Sequence, residues 1–177
     1  MSNLIIIDGV MSSGKSETLL LMLEEAKGLN INTCLIKPVI DTRYGIQFVK
    51  SRSGKQAKAD LVCSAPDEIL WKLNDSPFSM AFIDECQFFD ETFPFIIDAL
   101  LKRKISVVAS GLLKDSSNKF FGSFYQLFTR KHKHIHCTVS CAICSNTATR
   151  SFRLVSNDSQ VLIGDSAYSP RCDSHCI

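Results

Sequence analysis

No run of apolar residues in this chain is long and uninterrupted enough to cross a bilayer, and Met1 leads into a strand-like pattern rather than a basic segment with a secretory cleavage signal. The sequence reads as that of an intracellular, cytoplasmic protein with no membrane partner. An excess of one charge is also lacking. The 20 basic and 18 acidic residues leave a formal net charge of +2 over 177 residues, which argues against a dominant polyanionic partner. The one dense basic patch, Arg130-Lys131-His132-Lys133-His134, falls short of a nucleic-acid surface and reads as a solvated turn before a strand. Internal repeats, low-complexity tracts and an evident guanine-reading motif are absent too. The length leaves no room for two large domains, so one core with at most a small appendage is expected.

Hydrophobic residues make up 45% of the chain and charged residues 21%, enough apolar material for a packed core. Cysteine is plentiful, with eight residues. In a reducing compartment these are thiols or metal ligands rather than a disulfide framework.

Short apolar runs alternate with helical patterns. Leu4 to Asp8, Thr33 to Lys37, Met80 to Asp84 and Ile105 to Ala109 read as buried strands; Lys15 to Lys27, Asp67 to Leu73 and Phe93 to Leu101 read as helices. Gly28 is the expected stop of the first helix and Pro38 that of the second strand. Asp41 to Asp60 has no clear period and reads as loop. The alternation predicts an α/β fold, a mostly parallel sheet with flanking helices. After Lys119 the character changes, and strand-like segments at Phe152 to Val155 and Val161 to Ile163 amid cysteine pairs predict a small β-rich appendage. The expected division is 1–137 for nucleotide binding and catalysis and 138–177 for the appendage.

The sharpest motif is Gly9-Val-Met-Ser-Ser-Gly-Lys-Ser16, a gapless G-x-x-x-x-G-K-[ST] between a strand and a helix. Its glycines let the backbone of Met11, Ser12, Ser13 and Gly14 curl so that N–H groups face inward. Lys15 then reaches the terminal phosphates of ATP or GTP, and Ser16 holds Mg²⁺. Phe82-Ile83-Asp84-Glu85 is the expected partner: an apolar strand delivers Asp84 to the metal and leaves Glu85 beside the γ-phosphate. These pieces identify a nucleotide but not the acceptor. Water would make an NTPase or switch, and a small hydroxyl compound would make a kinase.

In this order and spacing the P-loop, Lys37-Pro38, Asp41-Thr-Arg-Tyr-Gly45, Asp84-Glu-Cys-Gln-Phe-Phe89, Lys119-Phe-Phe-Gly122, Cys141-Ala-Ile-Cys144, and Tyr168 four residues before Cys172 resemble the type II thymidine kinases. The resemblance spans about Leu4 to Cys176 and implies a P-loop NTPase-type fold. It also implies transfer of the ATP γ-phosphate to the 5′-hydroxyl of deoxythymidine, and a homotetramer. Glu85 would be the general base, with Lys15 and Arg43 at the transfer centre. Asp41, Phe88, Phe121 and Tyr168 would bind substrate, Tyr168 from a lasso-like loop.

There are departures. Ser51-Arg-Ser-Gly54 stands where Ser-His-Asp-Gly is common, Leu113 where an Asp is common, and Ser116 where an aromatic wall is expected. They leave deoxyuridine or another deoxynucleoside as an alternative acceptor. A P-loop ATPase or switch and a non-catalytic nucleotide-binding protein are rival classes.

Two cysteine clusters, Cys141/Cys144 and Cys172-Asp-Ser-His175-Cys176, have the makings of a structural Zn²⁺ site. His175 and Cys176 compete for the fourth place on chemistry alone. The resemblance selects His175, giving Cys141, Cys144, Cys172 and His175.

Overall fold

The computed structural model describes residues 3–74, 77–155 and 162–176. Its centre is a six-stranded, all-parallel sheet in the order β5-β2-β6-β7-β1-β8, made of β1 (Leu4–Asp8), β2 (Thr33–Pro38), β5 (Leu61–Cys63), β6 (Met80–Ile83), β7 (Ser106–Ser110) and β8 (Lys133–His136). Alternate strand residues face opposite sides, and each side has its own helices. Helix α1 (Lys15–Gly28) lays Leu19, Leu20, Leu23 and Ala26 on Ile7, Leu35, Phe82 and Val108. Helices α2 (Asp67–Leu73) and α3 (Phe93–Lys102) cover the opposite face, where Ile69, Leu73, Ile97 and Leu100 pack with Ile6, Ile36, Ile83 and Val107. Burial of both faces explains the unbroken apolar runs.

Several elements differ from the sequence expectation. Gly28 lies inside α1, and the left-handed residue beyond its end is Asn30, at φ 57°. Pro38 does not stop β2 early but is its last residue, because the pairing with β6 ends at Ile36 and Pro38 lies against β5 alone. The segment expected as loop contains a hairpin, β3 (Phe48–Lys50) with β4 (Gln56–Lys58), whose Val49 is buried against the α1 side of the core. The basic run is not a turn before a strand; its end is itself strand β8, parallel to β1 at the open edge of the sheet. Lysines suit an edge strand because they oppose further strand pairing.

Beyond β8 a separate antiparallel pair forms from β9 (Arg150–Arg153) and β10 (Tyr168–Arg171). Strand β9 replaces the expected Phe152 to Val155. In the expected strand Val161 to Ile163, Val161 lies outside the described residues, and Leu162 and Ile163 are not in a strand. The carboxyl ends of β1, β2, β6 and β7 gather four loops at one rim, where open parallel sheets hold their ligands.

Candidate active site

After β1 the chain turns through Gly9 at φ 145°, Ser12 at φ 67° and Gly14 at φ 89°. A Cβ at Gly9 would lie 2.2 Å from the Cys137 carbonyl oxygen, so no larger residue fits there. Gly14 caps α1 in the left-handed conformation without any side-chain hydrogen bond, which leaves first-turn N–H groups to an anion. Lys15 Nζ donates to the carbonyls of Gly9 at 3.0 Å and Val10 at 2.8 Å. Ser16 Oγ donates to Asp84 Oδ2 at 2.9 Å. The serine and aspartate expected to share Mg²⁺ are thus brought together across 68 residues of sequence.

Glu85 follows β6 with left-handed backbone, φ 53° and ψ 42°, a conformation that costs a non-glycine residue about 1 kcal/mol or more and is held by its surroundings. Its carboxylate accepts from Arg43 Nη2 on one oxygen and from Gln87 Nε2 on the other. Arg43 Nε also donates to Asp41 Oδ1 at 2.7 Å. Burial works against the charge on Arg43, but Glu85 and Asp41 outweigh it and hold the guanidinium firmly protonated. Asp41 is likewise opposed by burial, yet Arg43 and Lys37 keep its carboxyl below the usual range. At Lys15, burial lowers the pKa against the pull of Glu85 and Asp84.

These groups open on one cleft. Met11, Ser12, Gly14, Lys15 and Ser16 line one part of it; Arg43, Glu85, Phe88, Phe121 and Tyr168 line the rest. Gly9, Ser13, Asp41 and Asp84 do not reach its surface: Asp41 stands behind Arg43, and Asp84 behind Ser16. Phe88 and Phe121 meet edge to face with centroids 5.6 Å apart. Gly122 makes this approach practicable, since a Cβ there would lie 2.2 Å from the Gln87 carbonyl oxygen. Ser51, Arg52 and Ser116, from the segments that depart from the family pattern, also line the cleft. Tyr168 accepts from Arg153 Nη2 at 3.1 Å and donates to the Leu162 carbonyl at 3.0 Å, so β10 holds the 162–164 segment over the cleft.

At the far end of β9–β10, Cys141, Cys144, Cys172 and His175 converge. Cys144 Sγ lies 3.7 Å from Cys172 Sγ; His175 Nδ1 lies 3.2 Å from Cys172 Sγ and 3.7 Å from Cys141 Sγ. A tetrahedral ion with metal–sulfur bonds of about 2.3 Å has S···S edges of about 3.8 Å, so the donor set fits a closed four-ligand metal site. Burial raises the Cys141 thiol, but hydrogen bonds from backbone groups of Cys172, Ile143 and Cys144 outweigh it and bring it down to about 6. Cys176 is not in the group.

A sequence model of the family described as Thymidine kinase matches residues 2–176. The chain belongs to the thymidine kinase family. It is 36% identical over 174 residues to a thymidine kinase of Mycoplasma genitalium, covering 96% of this chain and 81% of that protein. It is 33% identical over 168 residues both to one from Mycoplasma mobile and to one from Bacteroides thetaiotaomicron, each alignment covering 94% of this chain and 83% of the relative. Family membership carries phosphoryl transfer by an ATP-dependent kinase as the general chemistry of the chain. No helix among the described residues is long and apolar enough to cross a membrane.

Three residues of this thymidine kinase family member brace the site without a role assigned from sequence, although Lys37 and Gln87 fall within motifs of the resemblance. Gln87 is buried between Glu85 and the Leu112 N–H, which donates to its Oε1 at 2.9 Å. Lys37, fully buried at the end of β2, donates to the Gly45 and Phe48 carbonyls and pairs with Asp41 at 3.3 Å. A lysine inside an apolar strand was the available signal. Ser151 Oγ accepts from the Met11 N–H at 2.9 Å, tying β9 to the P-loop.

Asp84 yields a pH prediction. Burial, then the neighbouring Glu85, raises its carboxyl to about 6, although Ser16 and Arg43 pull the other way. An acid whose folded pKa lies above its unfolded value costs stability as pH rises from about 4 to about 6, because the unfolded chain ionises first, and above about 6 the full cost remains. Asp84→Asn is therefore expected to raise stability at pH 8 by about 1 to 3 kcal/mol. The gain should shrink as pH falls through 6 and vanish near about 4, while kinase turnover is lost at every pH. Thermal melts of the two proteins at pH 8 and pH 4 provide the check. A variant that melts no higher than the parent at pH 8 would refute the assignment.

Proposed function

We propose that this protein is a type II thymidine kinase that transfers the γ-phosphate of ATP to the 5′-hydroxyl of deoxythymidine, giving dTMP and ADP. The observation that carries the reading is the single cleft onto which Lys15, Ser16, Glu85, Arg43, Phe88, Phe121 and Tyr168 all open. In this reading the P-loop backbone and Lys15 hold the ATP phosphates. Ser16 and Asp84 hold Mg²⁺, which neutralises charge on the transferring group when bound. Glu85 takes the 5′-hydroxyl proton as that oxygen attacks phosphorus, and Arg43 offsets negative charge between donor and acceptor. Asp41 acts on substrate through Arg43, which it orients. Phe88 and Phe121 clamp the planar base, which rigid rings do at little entropic cost. Tyr168 closes the site from the segment it anchors.

The same reading assigns residues 1–137 to nucleotide binding and catalysis and 138–177 to a small domain held by structural Zn²⁺ on Cys141, Cys144, Cys172 and His175. It places the protein in the cytoplasm as a homotetramer acting on a small deoxynucleoside, without nucleic-acid or membrane partners. Exposed Trp71 on α2 and Phe95 on α3 offer apolar surface for subunit contact.

The test is to offer MgATP with each common nucleoside and identify every 5′-monophosphate formed. dTMP as the main product is the expected result. Because Ser116 lines the cleft where an aromatic wall is expected, deoxyuridine is a second substrate in this reading. Product from a different nucleoside alone would sink the thymidine assignment, nucleoside-independent ATP hydrolysis would favour an ATPase or switch, and no turnover by folded protein would favour a binding protein.

A further inference from the structure

Strand β8 carries a feature that the kinase reading does not use. As the edge strand beside β1, it sends Ile135 toward the α1 side of the core, and its opposite face carries His134 and His136, with His132 next in the same alternation. Across the ladder from His136 stands Asp8, the last residue of β1 and the one before Gly9. His134 Nε2 lies 2.8 Å and His136 Nδ1 2.7 Å from the same oxygen, Asp8 Oδ1. Asp8 is buried, while the two imidazoles are about half exposed. Phe128 meets the His134 ring edge to face at 5.2 Å and restrains its orientation.

We propose that Asp8, His134 and His136 form a second metal site, an open one, for a divalent transition ion of the Zn²⁺ or Ni²⁺ class. Two imidazoles and one carboxylate make a donor set of that borderline character. Two histidines at alternate strand positions with a carboxylate on the paired strand place three ligand atoms within 4.8 Å of one another. Bonds of about 2.0 to 2.2 Å need ligand edges of about 3.3 Å. The two carboxylate–imidazole contacts, at 2.8 and 2.7 Å, are shorter than this, so the half-exposed imidazoles draw back from Asp8 to admit an ion. Among the described residues the ion-pair partners of the Asp8 carboxylate are these two rings. A divalent cation would compensate the charge of this buried carboxylate. Three protein ligands leave a coordination position for water or a small anion. Asp8 and His136 also border a surface cleft with Lys114 and Arg150, whose cations suit an anion there. The site is separate from the Cys₃His group, which has four ligands of its own.

The proposal stands on this cluster alone and is independent of the kinase reading. The experiment takes the whole chain holding a single zinc per chain, excess zinc having been removed by dialysis, and titrates it with Ni²⁺, following heat of binding and bound nickel, with zinc content measured alongside. The expected result is one Ni²⁺ per chain with no zinc released, and a melting temperature that rises with Ni²⁺ because the ion binds the folded state. The double variant His134→Gln/His136→Gln should lose both the bound nickel and the shift. Asp8→Asn should bind at least about ten-fold more weakly, since even outer partners of a metal site are worth that much. Circular dichroism confirms that each variant is folded. Nickel bound equally by the double variant, nickel bound only as zinc leaves, undiminished affinity in Asp8→Asn, or no nickel bound by the parent would each overturn the proposal.

Discussion

Replacing Glu85 with glutamine is expected to lower kcat by about 10²- to 10⁴-fold, the usual contribution of a positioned general base, while the KM for MgATP stays within a few-fold of the parent. The separation follows from where the contacts lie. The groups proposed to bind phosphate are the loop from Gly9 to Ser16, whose Lys15 and Ser16 hydrogen bonds go to Gly9, Val10 and Asp84 and do not involve Glu85. The amide keeps the shape of the side chain and an oxygen for Arg43, which also remains held by Asp41 at 2.7 Å. What it loses is the capacity to take a proton. One neighbour complicates the swap: the two carboxylate oxygens accept from Arg43 and from Gln87, and an amide can satisfy only one of those donors. Some loss of stability is therefore expected, and a thermal melt beside the kinetics separates it from the chemical defect. Steady-state turnover at saturating thymidine, with nucleotide affinity measured independently, decides the matter. Turnover within a few-fold of the parent would show that Glu85 is not the base.

The parts of this molecule that were legible in the sequence are those set by one local rule. The P-loop glycines, the strands β1, β2, β6 and β7 and the helices α2 and α3 all follow from periodicity and turn chemistry. Strands β3, β4 and β5 were hidden because each has only three residues, too few for alternation to register. Strand β8 was hidden for a different reason. An edge strand exposes one face, so Lys133, His134 and His136 are tolerated where an interior strand would require apolar residues. At the site, Asp84 and Glu85 could be placed by their strand, but the left-handed backbone that swings Glu85 toward Arg43 is a tertiary constraint with no sequence mark. Gln87 and Lys37 act as buried braces, and a brace is recognised only once its partners are known. Zinc-type spacing was visible in Cys141 and Cys144, whereas the choice of His175 over Cys176 rested on resemblance until the side chains were seen to converge.

Cys141→Ser is expected to cost the protein one zinc per chain and to unfold the β9–β10 region while the parallel sheet remains. Few apolar groups hold this region otherwise. From residue 138 onward the buried apolar residues described are Cys141, Ala148 and Cys172, and two of these belong to the Cys₃His group. Structural zinc contributes about 10 to 16 kcal/mol of apparent binding energy in small domains at neutral pH, far more than so small a core can supply. Serine removes a thiolate and leaves three donors, too few to close a tetrahedral site. Two links carry the damage to the active site. The Met11 N–H loses its acceptor Ser151 on β9, and the 162–164 segment loses its anchor Tyr168 on β10. The KM for the nucleoside should therefore rise by about ten-fold or more, as when one ordering contact of 1.4 kcal/mol is lost, and the change for MgATP should be smaller. Elemental analysis gives the metal, and amide hydrogen exchange locates the unfolding. Protection should be lost across Arg150–Arg153 and Tyr168–Arg171 and retained in β1, β6 and β7. Unchanged zinc content would exclude Cys141 as a ligand. Zinc loss with β9 and β10 still fully protected would show instead that the metal is dispensable for the fold of this region.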